Sequence, residues 1–287
     1  MPSFDEFWRF THDRYDLYVN RLLVGEPVPS GDPVLDGNRF TNTFRVTDRV
    51  SQRLLRIQAE GPQDPESLVL RTLLFKVFNK EATWDAIVAE FGEPSWPGNW
   101  DPARLNSLLA ERGRAGEKVF TGSYMMVNPL TKGWVKHEFY VDMIHTVMTD
   151  YLPAVLGSQS LRELVSVLND VPGIGDFLAY QYAIDLNYTS LFGFSENDYV
   201  LPGHGARRGI VKLYGNGRMA PARIMELALQ RDRGPLLRGQ RPMHLTDLQN
   251  MLCEYDKYTR AAGGMKQRYR PDPRPLPDPI FPPSWRL

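Results

Sequence analysis

The 287 residues are 42% hydrophobic and 24% charged, which is typical of a folded chain with a substantial core. The 34 basic and 34 acidic residues give a net charge of zero, so any nucleic-acid surface must be a local concentration of arginine and lysine. The single cysteine, Cys253, excludes an internal disulfide and a cysteine-rich zinc site, and it suits a reducing cytoplasm.

Apolar residues recur at helical spacing through most of the chain, and no period-two series indicates strands, so the predicted fold class is all-α. Ser3 with Glu6 makes a capping box that starts the first helix. The segment from Ser67 to Asn79 is apolar on nearly every side, as expected of a helix in the middle of the core. We expect residues 1–265 to form a single helical domain, and the Pro- and Arg-rich residues 266–287 to form an extended arm.

A polar stripe follows the first Pro/Gly-rich loop. Its members recur at steps of three and four, so on a helix they would share one face with Asp48 beside it. The stripe is either an ordinary solvated face or, because it aligns three arginines, a site for phosphate groups. The stripe consists of Asn42, Arg45, Arg49, Gln52 and Arg56.

Residues 160–188 predict a helix-hairpin-helix. Ser160 and Glu163 cap a first helix, and the turn Pro172, Gly173, Ile174 and Gly175 separates it from a second. Glycines in such a turn allow backbone N–H groups at the start of the second helix to approach a DNA phosphate. The alternative is an ordinary corner between two core helices.

A second glycine-rich segment follows the hairpin, with Gly203 and Gly205 preceding Arg207 and Arg208. Glycines that admit close backbone approach, followed by two guanidinium groups, could cradle a phosphate. The other interpretation is a turn-rich connector with solvated arginines. The segment matches no nucleotide-binding fingerprint.

Several further side chains are candidates for a site. Asp185 lies on an apolar face of the second hairpin helix, where burial would tune a general base unless the carboxylate is simply structural. Asp198 lies in the loop after the hairpin, and Asp256 with Lys257 lies on the last predicted helix. Tyr124 could stack on a base, although it could equally be a core tyrosine.

Several chemistries are excluded by missing motifs. The sequence contains no G-x-x-x-x-G-K-[ST] phosphate loop and no G-x-S-x-G nucleophile elbow. Its five histidines show no metal-ligand spacing. No apolar run predicts a signal peptide or a membrane span. We therefore expect a cytoplasmic protein with no metal and no cofactor.

Five segments, in this order, resemble the enzymes of phage thymine hypermodification: DPVLDGNRFTNTFRVTDRVSQ, FTGSYM, VPGIGDFLAYQYAIDLNY, ENDYVLPGHGARRGI and LQNMLCEYDKYTR. That family groups the helical domain of hydroxymethyluracil DNA kinases, the α-glutamyl/putrescinyl thymine pyrophosphorylases and the amino acid:DNA transferases. The resemblance spans roughly Asp32 to Arg260. It implies a DNA-glycosylase-like helical fold.

The resemblance also implies a reaction on duplex DNA in which an amine displaces the phosphate or pyrophosphate of a phosphorylated 5-hydroxymethyluracil. Base flipping is expected, because a base inside a duplex cannot be reached. Because no phosphate loop is present, the stand-alone amino acid:DNA transferases are favoured over the kinases, with glycine or another small amino acid as the partner of the DNA.

The resemblance gives the candidate residues roles. Arginines would neutralise the departing phosphate, and a carboxylate would accept a proton from the incoming ammonium group. The arginines that would act on the phosphate are Arg45 and Arg49, with Arg207 or Arg208. The candidate bases are Asp48, Asp185 and Asp198. Asp256 and Lys257 would complete the pocket or bind the amino acid. Two alternatives stay open: a non-catalytic module that binds modified DNA, and a base-excision glycosylase that uses Asp198.

Overall fold

A computed structural model of the protein describes residues 3–122, 133, 135–265 and 270–287. Helices are the regular structure of these residues, apart from one isolated bridge between Leu237 and Arg241, so the all-α prediction is confirmed. The α-helices are α1 (Phe4–Val24), α2 (Pro33–Gly37), α3 (Arg49–Glu60), α4 (Pro65–Phe78), α5 (Glu81–Phe91), α6 (Pro102–Arg114), α7 (Lys136–Thr146), α8 (Leu152–Gly157), α9 (Leu161–Asn169), α10 (Asp176–Leu186), α11 (His204–Tyr214), α12 (Ala220–Ala228) and α13 (Leu245–Ala262).

Shorter helical turns connect several of these elements. A π-helical turn, Val147–Tyr151, joins α7 to α8. Turns of 3-10 helix occupy Arg45–Thr47, Arg231–Arg233 and Pro283–Trp285. Among the helices of the described ranges, none is both long and apolar enough to cross a membrane.

The chain divides into two compact units. Unit 1 contains residues 1–52, 195–281 and 287, and unit 2 contains residues 53–194 and 282–286. The single domain expected for residues 1–265 stays a prediction.

The core of unit 1 is aromatic and centres on α1 and α13. Phe7 of α1 meets Tyr255 of α13 edge to face, with 5.5 Å between ring centroids, and Phe10 packs on Tyr255 and Tyr258. The predicted cap of α1 is confirmed, because the Glu6 N–H donates to the Ser3 hydroxyl at 3.2 Å. Helix α13 is therefore anchored on one side by aromatic rings of α1, which fixes the polar residues on its other sides.

The core of unit 2 is built around α4. Every residue from Ser67 to Phe78 is buried, which confirms the central position predicted for this helix. Helix α10 packs against both α4 and α9, and its residues from Ala179 to Leu186 are all buried. The buried run of α4 nevertheless contains two charged side chains, Arg71 and Lys76, and each is compensated by oxygen atoms inside unit 2.

Candidate functional site

The polar stripe predicted on one helix lies on two kinds of backbone. Asn42 is in an extended loop, Arg45–Thr47 is a 3-10 turn, and α3 begins only at Arg49. The Asn42 side chain donates to the Thr47 carbonyl oxygen at 2.9 Å, because short polar side chains compete for backbone groups that a helix would use. The prediction of a single continuous stripe is therefore wrong. The members that do share α3 are Arg49, Gln52 and Arg56.

Asp48 lies half-buried at the end of this loop, in unit 1. Its Oδ1 accepts the backbone N–H of Asn42 at 2.8 Å. Burial raises the pKa of Asp48 to about 7, and the charge of Glu254 adds to the rise, whereas the Asn42 N–H, Arg14 and Arg45 oppose it. Asp48 therefore changes protonation near neutral pH, which is the property required of a general base.

Helix α13 holds the loop that carries Asp48 through two hydrogen bonds. The Glu254 carboxylate accepts the Thr41 N–H at 2.9 Å, and the Asn250 side chain donates to the Asn42 carbonyl oxygen at 3.0 Å. Lys257, a predicted pocket residue, pairs with the same Glu254 at 2.6 Å. The structure thus brings Asn42, Asp48 and Lys257 into one hydrogen-bonded network that Glu254 and Asn250 organise.

A buried ionic network adjoins Arg45. Arg241 contacts Glu196 at 3.2 Å and Asp247 at 2.8 Å, and Asp247 accepts the Arg45 N–H at 3.3 Å. Burial raises the pKa of Glu196, and the charge of Arg241 opposes that rise. The pKa of His244 falls to about 4, because burial and Arg241 both disfavour a second positive charge.

Sequence reasoning missed these organising residues. Glu196 stands two positions before Asp198 in a segment that was singled out, yet its partner Arg241 comes from a loop that offered no pattern. The missed members of both networks are Glu196, Arg241, Asp247, Asn250 and Glu254. Asp247 also caps the start of α13, since it accepts the His244 N–H at 3.0 Å.

Most of the glycine-rich segment that was predicted as a loop is helix α11, so the loop assignment is wrong, whereas its contact with phosphate stays a prediction. A Cβ on Gly205 would lie 2.2 Å from the Cys253 sulfur, and one on Gly209 would lie 2.1 Å from the Leu252 carbonyl oxygen. These glycines let α11 and α13 pack at close range. Gly203 precedes α11 as its N-cap, with extended backbone. Contact of Gly203 or Gly205 with DNA stays a prediction, and the packing gives Gly205 a structural purpose.

The arginines of α11 differ in their partners. Arg207 is exposed and donates from Nε to the Pro202 carbonyl oxygen at 3.2 Å. Arg208 donates from Nε to the buried carboxylate of Asp256 at 2.9 Å. Two predicted phosphate-site residues, Arg208 and Asp256, therefore contact each other.

Residues 270–281 of the C-terminal arm contact two other members of the stripe. Arg49 contacts the Asp272 carboxylate at 3.2 Å and donates to the Pro275 carbonyl oxygen at 2.6 Å. The Gln52 amide both donates to and accepts from the backbone of Ile280, at 3.0 and 2.9 Å. Both side chains that were predicted to act on phosphate therefore hold the arm.

Asp198, the candidate base of the glycosylase alternative, is exposed in the loop after α10. Its backbone N–H closes a turn on the Ser195 carbonyl oxygen at 3.2 Å. Its role as a catalytic base stays a prediction.

Asp185 belongs to unit 2 and is completely buried on α10. Its Oδ2 lies 2.9 Å from the Lys76 ammonium nitrogen on α4, and its backbone carbonyl accepts the Gln58 amide at 2.9 Å. The compensating cation is thus a lysine that sequence reasoning passed over. Its signal was a single charged residue in the apolar run LLFKVF.

The predicted hairpin corresponds to α9 and α10, which are joined by a short turn in unit 2. Pro172, Gly173 and Gly175 are exposed, whereas Ile174 is buried and anchors the turn. Gly173 has φ +92°, and a Cβ there would lie 2.5 Å from the Phe139 ring, so only glycine fits. The turn thus presents its backbone at the start of α10, whose first N–H groups have no acceptor within the helix. DNA contact by Pro172, Gly173, Ile174 and Gly175 stays a prediction.

Tyr124 lies outside the described residues. Within those residues, no three His, Cys, Asp or Glu side chains are grouped so that they could hold a metal ion.

Comparison with known proteins gives two matches. The family described as "5-hmdU DNA kinase, helical domain" matches residues 1–268. A protein of Bacillus phage SP10 named 5-hmdU DNA kinase is 25% identical over 278 residues, which is 86% of this chain and 43% of the relative. The chain thus spans less than half the length of that relative. No solved structure matches the chain significantly.

Proposed function

Since the chain belongs to the family of the 5-hmdU DNA kinase helical domain, we propose that it modifies a thymine-derived base in duplex DNA. The proposed reaction replaces the phosphate, or pyrophosphate, of a phosphorylated 5-hydroxymethyluracil with the amine of a glycine-like amino acid. The partners are therefore duplex DNA that carries the modified base and a free amino acid or related amine.

We do not assign a kinase reaction to these 287 residues. The phage relative is named a kinase, and phosphoryl transfer from ATP needs a cradle for the triphosphate. The sequence contains no phosphate loop of the G-x-x-x-x-G-K-[ST] type. The part that this chain shares with the relative is helical, and we assign to it the recognition and substitution of the modified base.

The proposed step breaks one bond and forms another. The amine lone pair attacks the methylene carbon on C5, the carbon–oxygen bond to phosphate breaks, and the phosphate leaves with that electron pair. Before the attack, the amino acid is a positively charged ammonium, which must lose a proton because only the free amine has a lone pair. A carboxylate that is ionised at neutral pH accepts that proton, and a guanidinium stabilises the charge that grows on the departing phosphate.

The observation that supports the proposal most strongly is the environment of Asp48 close to Arg45. Asp48 is half-buried and not sealed, its pKa is raised to about 7, and Arg45 lies close enough to affect it. The surrounding loop is fixed by Asn42, Glu254 and Asn250, so the carboxylate is held in one place. Asp185 is the weaker candidate base, because it is fully buried against Lys76.

Recognition of the duplex is assigned to the turn before α10. The proposal is that its exposed glycines let first-turn N–H groups meet a backbone phosphate, and that the modified base is flipped out for reaction. The same exposed turn supports a second candidate function, a non-catalytic module that binds modified DNA.

The test is incubation with duplex DNA containing 5-phosphomethyluracil and each common amino acid or polyamine, followed by nucleoside mass spectrometry and phosphate measurement. The proposal expects a heavier nucleoside and one phosphate released per adduct. Asp48→Asn should abolish both, whereas Asp16→Asn, an exposed carboxylate of α1, should change neither. Tight binding of the DNA without adduct or phosphate would establish the non-catalytic module instead.

A further inference from the structure

The carboxylate of Asp256 meets three cations in unit 1. Its Oδ2 lies 2.9 Å from Arg208 Nε and 3.1 Å from Arg260 Nε, and its Oδ1 lies 3.9 Å from the Lys212 ammonium nitrogen. Two of these cations stand one turn apart on α11, and the third stands one turn after Asp256 on α13. Lys257, the next residue along α13, pairs with Glu254 instead.

The charges at this cluster do not balance. One carboxylate neutralises one of the three cations, so two positive charges remain in excess. Asp256 itself is buried, but the side chains of Arg208, Arg260 and Lys212 are 55%, 32% and 27% exposed. The cluster therefore presents its surplus positive charge to the solvent.

Both guanidinium side chains are partly exposed, and one terminal nitrogen of Arg260 also donates to the Met265 sulfur at 3.3 Å. Each arginine uses its Nε edge on the same carboxylate oxygen, and a guanidinium has further N–H donors on its terminal nitrogens. The shared oxygen brings the two groups side by side with a fixed orientation. Two adjacent forks with surplus positive charge suit a tetrahedral oxyanion, whose oxygens accept bidentate hydrogen bonds.

We propose that Arg208, Lys212 and Arg260, positioned by the buried carboxylate of Asp256, bind a phosphate of the DNA backbone. This inference rests on the proposed action of the chain on DNA. A backbone phosphate fits better than the leaving phosphate, because all three cations reach the solvent in part and a duplex presents its phosphates on its outer surface. Asp256 is a positioning residue and does not itself contact the DNA.

The experiment measures binding of a plain thymine duplex, without modified base or amine, between about 50 and 200 mM salt. The double variant Arg208→Gln/Arg260→Gln should bind about tenfold more weakly at the low end, and the slope of log affinity against log salt should fall by about 0.9. Lys212→Gln, which removes the most distant cation of the cluster, should change both quantities in the same direction by a smaller amount.

Arg223→Gln is the matched control, because Arg223 is a surface arginine of unit 1 that is neutralised one-to-one by Glu226 at 2.6 Å. It should leave the salt slope unchanged. Arg208→Lys/Arg260→Lys keeps both charges and should retain the wild-type slope, which separates loss of charge from loss of fold.

Three results would overturn the proposal. The first is a wild-type slope in both the double variant and Lys212→Gln, and the second is an equal fall of the slope in Arg223→Gln. The third is that the double variant binds the duplex as the wild type does, while inorganic phosphate inhibits its duplex binding less than it inhibits that of the wild type. The last result would assign the cluster to free phosphate. Because no chemistry occurs in this assay, a missing nucleoside adduct would refute the proposed transferase without altering the salt slope.

Discussion

Asp48 and Asp185 are both aspartates that local sequence places beside apolar residues, yet the two units give them different environments. Asp185 is completely buried and lies 2.9 Å from the Lys76 ammonium nitrogen. Asp48 is half-buried, accepts a backbone N–H at 2.8 Å, and has its pKa raised to about 7 by burial. A sealed carboxylate in contact with a cation is suited to holding helices together, whereas an accessible one that titrates near neutrality is suited to moving a proton.

The largest expected effect concerns the buried pair in unit 2. Lys76→Met should lower the free energy of unfolding by about 3–5 kcal/mol, because Asp185 then loses the cation that compensates its buried charge. Denaturant unfolding followed by circular dichroism measures this change. Lys76→Met/Asp185→Leu should recover most of the loss, since two apolar side chains need no compensation.

Arg104→Met is the matched control for Lys76→Met, because Arg104 pairs with Glu90 at 2.5 Å on the surface of the same unit. Arg104→Met should lower the free energy of unfolding by less than about 1 kcal/mol. If Lys76→Met were as mild as Arg104→Met, the buried pair would not be the structural element described here.

A medium effect is expected from Asp48→Asn and depends on pH. The folded state binds the Asp48 proton more tightly than the unfolded state does, so this stabilisation is complete below about pH 4 and is lost as pH rises through about 7. Asparagine imitates the protonated group at every pH. The variant should therefore gain stability relative to the wild-type protein as pH rises, by about 2 kcal/mol in total, which is half of the full linkage value because Asp48 is partly exposed to solvent.

Unfolding measured from about pH 4 to pH 8 with wild-type protein, Asp48→Asn and Asp16→Asn tests this prediction. Asp16→Asn, which removes an exposed carboxylate, is the control for the loss of a charge at the surface. A profile of Asp48→Asn that runs parallel to that of the wild type would refute the prediction.

The smallest effect, with the opposite dependence on pH, is expected at Asp272 of the arm. Hydrogen bonds from Arg274, helped by the charge of Arg49, hold the pKa of Asp272 below its usual range. Its contribution is therefore present above about pH 4 and lost as pH falls. Asp272→Asn should cost less than about 1 kcal/mol at neutral pH, because Arg274 is largely exposed. A cost above about 2 kcal/mol in thermal unfolding would make the arm part of the core of unit 1.

Local features of the structure were predictable where a single segment determines them. The caps at Ser3 and Ser160 follow from short-range hydrogen bonds, and both are present. The burial of α4 follows from apolar residues on all its faces. The all-α class and the family resemblance were also predictable, because both rest on patterns along the chain.

The remaining features depend on partners that are distant in sequence. The burial of Lys76 is explained only by its ion pair with Asp185. The position of the loop that carries Asp48 is explained only by its hydrogen bonds to Glu254 and Asn250 of α13. The segment of α11 was misassigned because glycine usually disfavours a helix, whereas here the cost is offset by close packing on α13. Such contacts have no signal in the spacing of neighbouring residues.

The most direct test of the central claim is the pH dependence of kcat/KM for adduct formation on 5-phosphomethyluracil duplex DNA, read by nucleoside mass. We expect kcat/KM for adduct formation to rise with pH through an apparent pKa of about 7, the value for Asp48. We expect Asp48→Asn to abolish this rising limb of the pH profile. An adduct formed by Asp48→Asn at the wild-type rate with the same limb, or no adduct with any amino acid or polyamine, would contradict it.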